Sequence, residues 1–379
     1  MSEIRVDSIG NESNTGGPVL SGITTFSGQK YFIPPTGTTA ERPSDCPPGS
    51  IRFNTDSAHL EYWNGLSWLE FEASSEDLGQ GTSGDAGTGI RAIIYMGYGP
   101  ANKNTINSLN MASGGTATDF GNSTITARQQ TSCASSIRAL RAGGYTSSYQ
   151  DVIDFVTIAS TGDATDFGNL TQARGGSFGG LSNNTRGVFA GGYKSSPNDE
   201  TNIIDYVTIA QTGNAADFGD LTATKTGTGT GAASPVRGVF FGGYTPTHVN
   251  SIDYMTISTL GNALDFGDCT STVRTGTGAS NATRGLYMGG QRSPLSSSNV
   301  IEFITIASTG NTQDFGDLDL ASDMGASAAS SIRAIHHRGL QNTDISSVMI
   351  ATTGNSIDFG DTSESAAQTS GCSNGHGGL

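Results

Sequence analysis

Short runs of five or six apolar residues recur along the chain, without regular alternation of apolar and polar positions. Residues 204–209, Ile-Asp-Tyr-Val-Thr-Ile, are typical, being rich in the β-branched and aromatic side chains that favour strands. Val207 and Ile209 would share one face of such a strand, and Ile204 and Tyr206 the other. Because both faces are apolar, both must be covered. The pattern therefore predicts buried β-strands.

This segment belongs to a set of three signals that recur in phase. Variants of it begin at Ile106, Ile153, Ile252, Ile301 and Ile345. Asp-Phe-Gly begins at Asp119, Asp166, Asp217, Asp265, Asp314 and Asp358, at intervals of 44–51 residues. An Arg followed by an apolar run occurs at Arg91, Arg138, Arg186, Arg237, Arg284 and Arg333. The chain from about residue 85 onward is therefore an array of six units.

Each unit divides into four short predicted strands. The first is rich in Gly and Ser, as an innermost strand crowding an axis requires. The second follows the Arg, the third is the β-branched segment, and the fourth is the brief, acidic Asp-Phe-Gly segment, which suits an outer edge. Units of about 48 residues with four antiparallel strands predict an all-β fold, a six-bladed β-propeller over residues 90–379.

The second strand resembles that of the kelch repeat, an apolar strand ending in a double Gly. The match is clear at Ala173-Arg174-Gly175 and again at residues 186–193, Arg-Gly-Val-Phe-Ala-Gly-Gly-Tyr. Asp-Phe-Gly stands where the kelch outer strand usually has Trp. The resemblance covers about three quarters of the chain and implies a propeller of four-stranded antiparallel blades.

Two segments compete to complete the first blade. Residues 366–375 repeat the inner-strand pattern with no further strands after them, so we expect this segment to close the ring. The rival is residues 79–88, which would leave the C-terminal segment unattached.

The first fifth of the chain has a different composition. Residues 1–72 contain both Trp and predict strands at 51–54 and 59–63, followed by a two-residue Asn64-Gly65 hairpin turn. Residues 73–89 form a Gly, Ser and acid linker. A hairpin alone is marginally stable, so residues 1–72 are expected to depend on other subunits or on a virion surface.

Two stretches of this region resemble tailed-phage fibre proteins of the marine and cyanophage type. They are residues 2–9 with Thr15-Gly16-Gly17-Pro18, and residues 35–43 with 49–55 and 62–65. The resemblance implies a virion protein whose N-terminal segment binds other virion proteins and whose distal part faces outward. It also implies a homo-oligomer, a trimer.

Composition narrows the remaining possibilities. Lys+Arg 19 against Asp+Glu 34 gives a net charge of −15, which argues against nucleic acid and other polyanions and against anionic membranes. No apolar window is long enough for a membrane span, and the N-terminus lacks a secretory signal. Four widely spaced Cys predict free thiols rather than disulfides or a zinc site.

The search for catalytic chemistry nominates no residue, cofactor or metal site. The adjacent His336 and His337 would point to opposite faces of a strand, which indicates a structural role. The Asp of Asp-Phe-Gly is expected to cap a turn and its Phe to fill the space between blades. A calcium site at Asp217 and Asp220 is the less favoured alternative, because EF-hand spacing is absent. The repeated Arg is expected to bond carbonyls or carboxylates of the next blade.

Recognition is expected where the repeats differ. The connections from second to third strand vary in length and content, whereas those from third to fourth strand barely change. Variation on one face of a repeat scaffold indicates a binding surface. The candidate binding residues there are Tyr149, Asp199, His248 and Arg292.

Together these features predict a tail-fibre-like phage protein, made in the host cytoplasm and located in the virion. Its propeller would recognise a host-surface glycan or protein. The alternative is a purely structural component of tail, baseplate or capsid, with the propeller packed against other virion proteins. A glycan-degrading enzyme is a distant third.

Overall fold

The computed structural model describes residues 34–57, 59–70, 90–176, 178–195, 198–294 and 296–379. The fold is all-β, and the chain divides into two compact units, Met1–Ser74 and Ser75–Leu379. The fibre-like opening at residues 2–18, the linker and the rival closing segment at 79–88 lie outside the described residues. No helix within the described ranges has the length and apolar character needed to cross a membrane.

The first unit contains one four-stranded sheet. Its strands lie in the order Thr36–Gly37, Ile51–Asn54, His59–Trp63 and Trp68–Glu70, the first pair parallel and the others antiparallel. Because Trp63 pairs with Trp68, the hairpin loop has four residues, and the predicted two-residue turn is wrong. The Asn64 side chain causes the difference: its Oδ1 accepts the backbone N–H groups of Leu66 and Ser67, each at 2.8 Å.

A buried carboxylate ties this sheet together. Glu61, fully buried, accepts the Nε and Nη2 of Arg42 at 2.9 and 2.6 Å and lies 3.2 Å from the Nε of Arg52. Arg52 also donates to the carbonyls of Thr38 and Glu41. Arg42 and Arg52, from the segments 35–43 and 49–55 that resemble fibre modules, thus meet at this acid.

The second unit consists of antiparallel sets of four strands, paired in the order first, second, third, fourth. In chain order of their second strands we call them sets 1 to 6. Their bounds are Ser370–Ser373, Arg91–Tyr95, Lys103–Asn110 and Thr118–Ala127 in set 1; Thr131–Ala134, Arg138–Ala142, Val152–Thr157 and Thr165–Asn169 in set 2; Gly179–Ser182, Arg186–Ala190, Ile203–Thr208 and Ala216–Asp220 in set 3; Ala232–Ala233, Arg237–Thr245, Thr247–Thr256 and Leu264–Arg274 in set 4; Thr277–Ser280, Arg284–Met288, Ser296–Thr305 and Gln313–Ser322 in set 5; Ala326–Ala329, Arg333–His337, Asn342–Met349 and Ile357–Ala366 in set 6.

Short accessory strands supplement these sets. Arg174–Gly175, Tyr193–Ser195 and Asn198–Glu200 form a three-stranded sheet of their own. Gln291–Arg292 pairs with strands of sets 4 and 5 and joins them into one nine-stranded sheet.

The Gly of Asp-Phe-Gly creates the contact between neighbouring sets. The pairing of third and fourth strands shifts register at the same place in every set, and there Gly168 has a φ of 146°. A Cβ on Gly168 would lie 2.4 Å from the carbonyl oxygen of Gly213 in the next set. The N–H of Gly213 in turn donates to the carbonyl of Phe167 at 2.8 Å. Only Gly permits so close an approach of two backbones.

This contact repeats at each neighbouring pair and also joins set 6 to set 1. There the N–H of Gly115 donates to the carbonyl of Phe359 at 2.9 Å. The Phe rings pack at the same junctions, five of them buried and Phe359 half-buried, as expected for side chains between sets. The six Asp residues are exposed and accept no hydrogen bond from the described residues, so the expectation that they cap turns is wrong.

The repeated Arg forms a second series of contacts between sets, as predicted. Arg138 donates from Nη1 to the carbonyl of Ile209 in the next set at 3.0 Å, and its guanidinium stacks 4.5 Å from the ring centroid of Phe155. Arg91, Arg186, Arg237 and Arg284 make the corresponding bonds. Arg333 of set 6 donates to the carbonyl of Met111 in set 1 at 2.7 Å.

Set 1 is completed by the C-terminal segment. Its first strand, Ser370–Ser373, pairs with Arg91–Tyr95, joining chain positions far apart in sequence. Beyond it, His376 donates from Nε2 to the carbonyl of Ala134 at 2.8 Å, and Gly377 donates to the carbonyl of Ser280 at 2.8 Å. The tail therefore crosses the ends of the small-residue first strands, which are buried and enclose a cavity of ≈ 40 Å³.

Two buried histidines lie beside this segment, on opposite faces of their strand as predicted. His336 contacts Thr277 through Nδ1 at 2.9 Å and Ser322 through Nε2. His337 donates from Nε2 to the carbonyl of Asn342, so its Nδ1 accepts from the Thr369 hydroxyl at 3.1 Å. Burial lowers the pKa of His336 to about 3 and that of His337 to about 4. Both are therefore neutral structural residues.

Removal of residues 370–379 tests the role of the closing strand. It leaves Arg91–Tyr95 as an uncovered edge and exposes the apolar surface beneath Cys372, so we expect a cost of about 3 kcal/mol and a melting temperature at least about 5 °C lower. Differential scanning calorimetry measures this, with removal of Leu379 alone as the control. An unchanged melting temperature for the longer deletion would mean that the strand contributes nothing.

The buried histidines predict acid-sensitive stability. Their pKa is depressed in the folded state, whereas an unfolded His titrates near 6.5. The unfolded chain therefore takes up protons first, and the free energy of unfolding should fall below about pH 6.5, by about 2 kcal/mol per His at pH 5. Urea unfolding at pH 7 and pH 5 measures the change. The variant H336Q/H337N should show a smaller difference between the two pH values, and an equal difference would rule out these residues as its source.

Candidate functional site

One edge of the strand sets brings two kinds of connection together. The segments between second and third strands lie beside those between a fourth strand and the next first strand. Isolated bridges join them at Tyr98 with Ala367, Arg128 with Tyr145, and Thr226 with Tyr244. We call this surface the connection face. It holds the variable connections, and three of the four candidate binding residues lie on its surface.

Four tyrosines occupy equivalent positions on this face. Tyr98, Tyr145, Tyr193 and Tyr244 each follow the Gly that ends the second-strand run. In set 2, Gly143 and Gly144 have φ values of 62° and 112°, and this left-handed turn directs the chain into the connection face. The equivalent residues are Gln291 in set 5 and Leu340 in set 6. The aromatic positions are thus confined to sets 1 to 4.

Arg128 joins the tyrosines of sets 1 and 2. Its guanidinium carbon lies 4.9 Å from the ring centroid of Tyr98 and 5.2 Å from that of Tyr145. Its backbone exchanges hydrogen bonds with Tyr145, at 3.1 and 2.7 Å, which fixes the start of the side chain. Cation–π contacts of this kind stabilise by about 0.5–2 kcal/mol each, so the guanidinium is held between two rings.

Tyr149 extends the aromatic surface toward set 3. Its ring lies edge-on to that of Tyr145, with centroids 5.3 Å apart. A Cβ on Gly175 would lie 3.0 Å from the Tyr149 ring, and one on Gly176 would lie 2.9 Å from the Tyr193 ring. Two consecutive glycines therefore let both tyrosines lie against the backbone.

Set 4 completes the surface. Tyr244 lies edge-on to His248 at 5.7 Å, and the guanidinium of Arg274 lies 5.3 Å from the Tyr244 ring. Burial, followed by Glu200, raises the pKa of Tyr193 to about 12, with smaller effects from Tyr244 and Tyr149. We call Tyr98, Tyr145, Tyr149, Tyr193, Tyr244 and His248 the Tyr arc. All six are half-buried and leave part of the ring accessible.

The four candidate binding residues lie in different surroundings. Tyr149 and His248 belong to the Tyr arc. Asp199 is exposed, opposite Lys194 in the strand pair beside Tyr193, and makes no ring contact within the described residues. Burial, followed by the charge of Arg274, lowers the pKa of His248. Its imidazole therefore acts as a neutral group at neutral pH.

The prediction that Arg292 is a binding residue on the surface is wrong, because Arg292 is buried. Only 8% of it is exposed, and its Nη1 lies 2.9 Å from Oε1 of the fully buried Glu302. Glu302 belongs to a series of fully buried carboxylates at one position of the third strand, with Asp154, Asp205 and Asp253. Their cations are Arg141, Arg174 and Lys225. Arg292 thus neutralises an interior acid.

Sequence reasoning missed most of the Tyr arc, although a signal was present. The position after the double Gly is Tyr in three sets and again in set 1, where the double Gly is degraded. This position belongs to the repeated part of each unit, whereas binding residues were expected in the connections that vary. Arg128 and Arg274 had no such signal, since only packing reveals that they stack on tyrosines.

The Tyr arc offers stacking surfaces, phenol and imidazole groups and two guanidinium groups, the chemistry of non-covalent recognition. Among the described residues, no group of three or more His, Cys, Asp or Glu is arranged to hold a metal ion. No protein-family model matches the chain, and none of the curated proteins compared with it is similar to it.

Arg292→Gln tests the corrected role of Arg292. It leaves Glu302 buried without a cation, so we expect the free energy of unfolding to fall by about 3 kcal/mol. The double variant R292Q/E302Q removes both charges and should lose less. Urea unfolding of the three proteins gives the comparison. If R292Q keeps full stability, the ion pair does not have this role.

Proposed function

We propose that residues 90–379 form a six-bladed, kelch-like β-propeller in which each strand set is one blade. The cyclic order of contacts supports this proposal. Arg333 and Phe359 of set 6 bond Met111 and Gly115 of set 1 in the same way as each earlier set bonds the next one. The strand Ser370–Ser373 then supplies the inner strand of the first blade. The first strands of the sets consist mainly of small residues, which suits the crowded axis of a propeller.

We further propose that the protein is a tail-fibre-like component of a phage virion. The segments at residues 35–43 and 49–55 that resemble fibre modules support this, since Arg42 and Arg52 within them both pair with the buried Glu61. Residues 1–72 would attach the protein to other virion proteins, and the propeller would face outward. The protein would be a homo-oligomer.

The Tyr arc is the observation that carries the proposed function, which is recognition of the host surface. Its aromatic residues are accessible on the face with the variable connections, and they occupy four sets while the other two differ. Tyrosine supplies a large contact area with a polar end at little cost in side-chain entropy, which suits recognition. Several copies on one particle would add avidity to individually weak contacts.

Binding of the full-length protein to cells tests this function. Fluorescently labelled protein is titrated on a panel of marine bacterial strains, including cyanobacteria, and bound protein is measured by flow cytometry. Saturable binding to at least one strain is expected, and Tyr145→Ala should weaken it about tenfold or more, because buried aromatic contacts dominate interfaces. The matched control is Ile137→Ser, which removes an exposed side chain from the opposite edge of set 2.

Three other outcomes would contradict this proposal. Equal losses for the two variants would show that the Tyr arc is not the contact. Absence of binding to every strain, together with a particle reconstruction in which other virion proteins cover the Tyr arc, would favour a purely structural component. Release of reducing sugar from host polysaccharide would favour an enzyme.

A further inference from the structure

The connection face carries cationic side chains although the chain as a whole is acidic. The six Asp residues of Asp-Phe-Gly begin the fourth strands, at the edge opposite the connection face, and all are exposed. Lys103, Lys194 and Lys225, with Arg128, Arg274 and Arg338, lie on or beneath the connection face. The net charge of −15 therefore does not exclude a cationic contact at individual positions of this face. At physiological ionic strength charges beyond about 8 Å are largely screened, so a ligand at this face responds mainly to the charges nearest to it.

Most cations of this face are already neutralised. Lys103 pairs with Glu364, Arg174 with Asp205, Lys225 with Asp253, Arg292 with Glu302 and Arg338 with Asp344. Arg128, Arg274 and Lys194 differ, because none of them forms an ion pair with a carboxylate of the described residues. Of these three residues, Arg128 and Arg274 are the two whose guanidinium groups stack on the Tyr arc.

Each of these guanidinium groups is held in place and keeps donors free. Arg128 makes no side-chain hydrogen bond to a described residue, and its Nε is buried without a partner. Arg274 donates from Nε to Gln291 at 2.9 Å, which leaves its terminal nitrogens available. The nearby Asp323 is occupied by Gln291 and Thr275, and burial raises its pKa. Aromatic stacking thus orients both groups, and no acid consumes their charge.

We propose that the connection face binds an acidic saccharide, with a carboxylate or phosphate group at Arg128 and at Arg274 and the sugar rings against the Tyr arc. The guanidinium group matches such anions through two parallel hydrogen bonds and is only weakly hydrated. The tyrosine rings contact the apolar C–H surface of a sugar while their hydroxyls bond its polar edge. This inference rests on the proposed function and adds the chemical class of the ligand.

Matched saccharides test the requirement for an acid. The full-length protein is titrated by isothermal calorimetry with an oligogalacturonate, with the same oligosaccharide as its methyl ester, and with a phosphomannan oligosaccharide. Binding of at least one acidic probe is expected, with the methyl ester about tenfold weaker or more, because a charge-assisted hydrogen bond is lost. Preference between the first and third probes distinguishes uronate from phosphate.

Matched variants locate the contact. Arg128→Gln and Arg274→Gln should each weaken acidic-probe binding about tenfold, and R128K, which keeps the charge without the planar fork, should be intermediate. The control K194Q removes the same charge from the same face, outside the aromatic stacks, and should change binding less than about twofold. Melting temperatures identify any variant that fails to fold, and for such a variant the methyl-ester comparison on the unaltered protein decides.

Several results would overturn the proposal. They are equal binding of the ester and the acid, equal losses for K194Q and R128Q, equal binding of a poly-glutamate peptide, and binding of none of the acidic probes. If cells are bound in any of these cases, the proposed host recognition stands and only the ligand class fails. If cells are not bound either, the proposed function fails as well.

Discussion

The close approach of two backbones at the Gly of Asp-Phe-Gly is the constraint on which the second unit depends. At Gly168 a Cβ would lie 2.4 Å from the carbonyl of Gly213, so neighbouring sets can reach hydrogen-bonding distance only where the residue at the position of Gly168 has no side chain. The contact fixes the spacing between sets, and that spacing determines where Phe167 packs and how far Arg138 must reach. The Phe packing and the Arg hydrogen bonds of the repeat lie at the same junctions as this glycine contact.

A scaffold fixed in this way leaves one edge free to vary. The Tyr arc follows from the same repeat, because in sets 2 to 5 the left-handed double Gly directs the next residue outward. What differs is the identity of that residue, Tyr in four sets and Gln291 or Leu340 in the others. The connection face is therefore uneven although the framework beneath it is regular. Unevenness of this kind gives a surface a defined direction for an asymmetric ligand.

Features that recur in every repeat could be predicted from the sequence, whereas features that depend on one side-chain contact could not. The strands and the Arg bonds to the next set could be predicted, because they recur six times in phase. The loop at Asn64 could not, since its side-chain hydrogen bonds lengthen a turn that composition makes look tight. Arg292 was misplaced because a cation in a variable connection looks exposed until its partner, Glu302, is located. Unpaired cations such as Arg128 become visible only when all the other ion pairs are known.

The pairing of Ser370–Ser373 with Arg91–Tyr95 also means that set 1 can be completed only at the end of synthesis. Arg91–Tyr95 leaves the ribosome early, but its partner emerges only after all the other sets have been made. Until then set 1 presents an unpaired apolar edge, and such an edge readily pairs with another chain. Neighbouring nascent chains on one polysome could therefore aggregate through this edge. Chaperone binding at this edge would protect the chain until translation passes residue 373.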